Sequence, residues 1–106
     1  MAKFLIHASY SAEGIKGVIK EKASARKAAF EKALSSVGAK LEAMYFAFGD
    51  YDTVSIVDAP DNATLMAVDL SACSTGLVRT RTTPLLTLEE VDQAIKKGAK
   101  FRGPGQ

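Results

Sequence analysis

Residues 40–58 read KLEAMYFAF, then GDYD, then TVSIVD. The first stretch is rich in aromatic residues and the last in β-branched ones, side chains that suit a pleated sheet. The four residues between them are turn formers. Two strands joined by so short a link run antiparallel. Residues 40–48 and 53–58 are therefore expected to form a hairpin across Gly49-Asp50-Tyr51-Asp52.

On the N-terminal side, residues 3–10 alternate as a strand, with Phe4, Ile6, Ala8 and Tyr10 on one face and Leu5, His7 and Ser9 on the other. Both faces carry apolar groups, so neither is expected to look freely into water. Residues 12–37 read as helix in two pieces. Ile15, Val18 and Ile19 give the first a short apolar stripe, interrupted by Gly14 and Gly17. Ser24 suits the N-cap of the second, in which Phe30, Ala33, Leu34 and Val37 recur at helical spacing. Gly38 stands where such a helix ends.

On the C-terminal side, Asp61 suits the N-cap of a helix that turns Leu65, Val68 and Ala72 inward. Residues 75–83 predict a fourth strand stopped by Pro84. Thr87-Leu88-Glu89-Glu90 is a capping box, opening a helix expected to bury Val91, Ala94 and Ile95 and to end near Gly98. The domain is thus expected over residues 1–98, with 99–106 as a frayed tail.

The order β-α-β-β-α-β plus a C-terminal helix predicts an α+β, ferredoxin-like sandwich, with one four-stranded antiparallel sheet and helices on one face. The helix side is expected to hold Ile6, Val54 and Ile56. The open side is expected to hold Leu5, His7, Ser9, Thr53, Ser55 and Val57. A bulge would reverse such an assignment.

Composition narrows the class. Hydrophobic residues make up 47% and charged ones 25%, the balance of a folded globular domain. The net charge of +2 gives no electrostatic case for nucleic acid or an anionic membrane as partner. With one cysteine, Cys73, no intrachain disulfide can form and a Cys/His metal cluster is not expected. The N-terminus lacks the apolar run of a signal peptide, and no stretch is long enough to span a bilayer, so the cytoplasm is the expected location. No phosphate-binding glycine loop, zinc motif or nucleophile elbow is present, and no cofactor is expected.

Three segments carry a resemblance. Ala8-Ser9-Tyr10 closes the first strand, residues 43–52 (AMYFAFGDYD) span the hairpin, and residues 78–86 (VRTRTTPLL) close the sheet. In this order they resemble the GYD-domain family, whose glycine and Tyr-Asp pair mark the turn. The resemblance runs over roughly residues 3–95. It implies a ferredoxin-like fold related to the dimeric α/β barrels, and it assigns neither an activity nor a catalytic residue.

Read for chemistry, His7 is the only histidine and a candidate general base or metal ligand. It better suits a half-buried group hydrogen-bonded across a subunit interface. Asp50 and Asp52 flank Tyr51 and can bind a ligand or merely shape the turn, with Asp52 the better functional candidate. Arg79 and Arg81, two apart on a strand, point the same way and can grip a carboxylate or phosphate, or else protect an edge strand with charge. Tyr10 and Tyr45, with Phe46 and Phe48, can wall an apolar pocket or belong to the core. Cys73 reads as a small buried apolar residue.

A sheet covered on one side only predicts self-association into a homodimer or higher homo-oligomer. Three functions follow. The first is a small oligomeric protein binding an acidic or aromatic small molecule near Arg79, Arg81 and His7. The second is a cofactor-independent enzyme of monooxygenase or isomerase type, with its site on the open sheet face, an idea that rests on fold analogy. The third is a structural self-association module.

Overall fold

A computed structural model describes residues 1–106. The elements follow in the order β1 (Ala2–Tyr10), α1 (Ala12–Glu21), α2 (Ala23–Ser35), β2 (Lys40–Phe46), β3 (Thr53–Ala59), α3 (Asn62–Cys73), β4 (Val78–Leu85) and α4 (Leu88–Lys97). The strands form one antiparallel sheet in the order β2-β3-β1-β4, consistent with the ferredoxin-like arrangement. The expected hairpin is β2–β3, with Gly49 at φ 98°, a conformation that glycine adopts without strain.

Local chemistry explains most boundaries. The Ser11 hydroxyl accepts from Gly14 N–H to start α1, and Asp61 accepts from Thr64 N–H to start α3. Thr87 and Glu90 cap each other reciprocally at α4. The break between α1 and α2 falls at Lys22, at φ 81°, and Lys22 rather than Ser24 occupies the N-cap position of α2. β4 runs through Pro84 instead of stopping before it, because β4 lies at the sheet edge, where one side of the strand needs no donor.

The core lies between the sheet and α2 and α3. Phe4, Ile6, Leu34, Ala39, Val57, Ala59 and Leu65 form its buried cluster, with Phe30, Val37, Leu41 and Val68 packed around it. The inward residues of β1 are Phe4, Ile6 and Ala8, as the alternation predicts. On β3 the expected faces are reversed. Thr53, Ser55, Val57 and Ala59 are buried on the helix side, while Val54 and Ile56 are the half-buried residues of the open side. The register decides this, since Leu5 lies opposite Ile56 and His7 opposite Val54, and opposed residues share a face.

Two further features concern β2 and the C-terminal helix, where the expected burial is not found. A bulge at Glu42 shifts β2 by one residue and lets Lys3 reach both Glu42 and Asp58, at 3.1 and 2.8 Å. The C-terminal helix α4 buries nothing. Leu88, Val91 and Ile95 are all exposed, and α4 makes no substantial contact with any other element of the chain. Its amphipathic pattern is real, but its apolar stripe is left exposed.

Candidate functional site

The two faces of the sheet carry two different sets of polar groups. On the open face a single row crosses all four strands: Tyr45, Val54, His7 and Arg81 lie side by side in that order. Arg79 sits one row further along β4, opposite Ser9. Tyr51, at the end of the turn, folds back onto this row. Its ring centroid is 4.6 Å from that of His7, with 40° between the planes. Its phenol oxygen accepts a hydrogen bond from Arg81 Nη1 at 3.2 Å. That bond raises the Arg81 pKa above its ordinary value, so the guanidinium stays charged. Nδ1 of His7 is buried and has no hydrogen-bond partner.

The turn itself is held by its aspartates. The Asp52 carboxylate accepts from Tyr10 N–H at 2.8 Å, and Asp52 N–H donates to the Ala8 carbonyl at 2.8 Å. The Ser9 hydroxyl donates to the Asp50 carbonyl at 2.8 Å. Asp52 thus prolongs the β1 ladder, and its neighbour Tyr51 is delivered over His7. Glycine for the turn, tyrosine for the packing and aspartate for the splice account physically for the Gly49…Tyr51-Asp52 pattern.

On the helix side, α2 packs on β2 and α3 packs on β4, and α2 and α3 make no substantial contact with one another. The gap between them is a cavity of about 610 Å³. Its walls are mainly small or apolar, including Ala8, Gly17, Val18, Phe30, Ala33 and Met44. Gly14 brings α1 close to the Leu77 carbonyl and closes one end. Tyr10, Thr53, Ser55 and Thr80 add hydroxyls to the lining.

The charges at this cavity are unequal. Glu13, Glu21 and Asp69 bring three carboxylates against the one cation, Arg26. Arg26 is paired with Glu21 at 3.2 Å. Asp69 accepts hydrogen bonds from Thr80 and Thr82 at 2.5 and 3.4 Å. Burial pushes the Tyr10 phenol pKa above its ordinary value, with Arg26 opposing that shift and Asp52 and Glu21 adding to it.

The sequence candidates therefore divide. His7, Tyr45, Arg79 and Arg81 share the open face, Tyr10 lines the cavity behind it, and the Asp52 carboxylate is taken by the β1 backbone. Phe46 and Phe48 are exposed and lie outside the lining of this cavity, and Cys73 is half-buried against Thr80. Tyr51 was absent from the expected set, although it joins His7 to Arg81. The cavity's sequence signals are Tyr10 and the hydroxyl-bearing Thr53, Ser55 and Thr80 at inward strand positions.

The GYD-domain profile matches residues 4–95, most of the chain, including the turn and the row described above. The chain belongs to the GYD-domain family. No curated protein and no solved structure matches it. Within this GYD domain no group of histidine, cysteine or acidic residues is arranged to hold a metal ion, and no helix is long and apolar enough to cross a membrane.

Proposed function

We propose that this GYD protein binds a small, largely apolar organic molecule in the cavity between its sheet and helices. The observation that carries the reading is the cavity itself. Its volume and mostly apolar lining, with a few convergent hydroxyls, are those of a ligand site. Aromatic guests suit it. The local charge disfavours an acidic one, because the only cation is already paired.

Three probes of one shape test this: benzamide, benzamidine and benzoate, which are neutral, cationic and anionic. Each is titrated against the thermal unfolding of the full chain. A ligand at a hundred times its Kd stabilises the folded state by about 2.7 kcal/mol. Benzamide and benzamidine are expected to raise Tm, and Gly17→Leu, which fills open space in the cavity, is expected to abolish the shift. A shift from benzoate alone, lost in Arg79→Ala, would instead put an acid on the open face.

The protein is further proposed to self-associate through that open face, where Leu5, Val54 and Ile56 lie uncovered by any helix of the chain. The lone cysteine suits a reducing, cytoplasmic setting. An enzymatic reading is favoured by one observation, the unpartnered Nδ1 of His7 beside Tyr51 and Arg81. It requires His7→Ala to lose turnover while keeping its fold.

A further inference from the structure

The least explained element is α4. Its ends are fully specified by the sequence, with a reciprocal cap at Thr87 and Glu90 and a terminating Gly98 at φ 61°. Acidic residues occupy its first turn and lysines its last, as the helix dipole favours. Yet Leu88 is 81% exposed, Ile95 73% and Val91 40%, along one stripe. A ten-residue helix is shorter than the roughly 12–15 residues that persist alone in water. It needs a surface to lie on.

Its own chain does not provide one. Only Leu86 and Thr87 separate α4 from the edge strand, and it makes no substantial contact with any element there. The molecule measures 56 × 33 × 22 Å, and its radius of gyration is 16.9 Å against about 13 Å for a compact chain of this length. The helix is an arm.

The open sheet face has the complementary features. Ala43, Ile56, Leu5 and Val54 form its apolar middle, while Arg79 and Arg81 on β4 have no carboxylate partner. Glu89 and Asp92 of α4 are likewise unpaired. A ten-residue helix is about 15 Å long. Four strands, about 4.8 Å apart, span a similar width.

We infer that α4 of one copy lies across the open sheet face of a second copy, with Leu88, Val91 and Ile95 on its apolar middle and the acidic first turns beside Arg79 and Arg81. Each chain has one arm and one face, so a two-fold exchange satisfies both at once and leaves neither repeating. This rests on the self-association reading above and names the element that performs it.

The test uses two full-length variants, each with Cys73→Ser: one adds Val91→Cys and the other Ile56→Cys. After mixing and mild oxidation, a disulfide joining position 91 of one chain to position 56 of the other is expected, read by mass spectrometry of the linked peptides. Circular dichroism checks that each variant is folded, and light scattering reports the mass of the unmodified chain. A dimer that yields no mixed disulfide overturns the α4 assignment and leaves self-association standing. A monomeric unmodified chain overturns both. As a second measurement that does not depend on cysteine placement, Glu89→Lys with Asp92→Lys is expected to weaken association about tenfold. Mixing that variant with Arg79→Glu, Arg81→Glu chains is expected to restore it. Unchanged association in the charge-reversed chain overturns the docking.

Discussion

Gly14 and Gly17 stand one turn apart on α1 and meet opposite surroundings. A Cβ at position 14 would collide with the Leu77 carbonyl, which is backbone and cannot swing aside, and would crowd Tyr10 Cβ at 3.2 Å. At position 17 it would meet nothing. Gly14→Ala is thus expected to destabilise by about 1–3 kcal/mol, as overpacking does, whereas Gly17→Ala is expected to stabilise by up to about 1 kcal/mol through helix propensity. Urea midpoints of the two variants check this, and equal effects would refute the packing argument. Tyr10 adds a pH dependence. Burial raises its pKa above 10.0, so the unfolded chain gives up this proton first as pH rises. The resulting stabilisation is complete below that pH and is lost as pH climbs through the folded-state pKa. In alkali, Tyr10→Phe should therefore lose stability less steeply than the native chain, a difference that cancels the lysines common to both.

At the scale of elements, the kink between α1 and α2 is the clearest locus of strain. Lys22 holds φ 81° and ψ 155°, a region that β-carbon sterics leave almost entirely to glycine. Lys22→Gly is expected to gain about 1 kcal/mol, less whatever its extra freedom costs in the unfolded chain, and a higher denaturation midpoint is the readout. Nothing in the sequence marks Lys22, since the two-piece helix is legible only from Gly14, Gly17 and Ser24 around it. By contrast, the hairpin, the Asp61 cap and the Thr87–Glu90 capping box were legible, because each is decided within a few residues. The inner face of β3 was not. Val54 and Ile56 look like core, and Thr53 and Ser55 do not, yet pairing with β1 turns the hydroxyls inward. Those hydroxyls face a cavity that exists only because α2 and α3 stand apart, a distance no local pattern encodes. Val91 and Ile95 show the same limit: their periodicity reveals an apolar stripe but not whether the chain's own fold buries it.

At the scale of the whole molecule, the cavity and the proposed interface share the same strands but opposite sides of them. Ser55 lines the cavity, and Ile56, the next residue, points to the open face. The cavity lies on the helix side of the sheet, with helices α1, α2 and α3 as its roof. Ligand binding therefore should not need the partner, and the two activities are separable. Ile56→Lys places a charge in the apolar middle of the open face and is expected to leave a monomer by light scattering. A buried unpaired ammonium costs several kcal/mol at an interface but nothing comparable on a free, wet surface. The same monomer should still gain thermal stability from benzamide, to about the extent of the unmodified chain, because no cavity residue has changed. Loss of that gain in a folded monomer would mean that the second copy completes the binding site, moving the ligand from the helix side of the sheet to the row of His7, Tyr51 and Arg81.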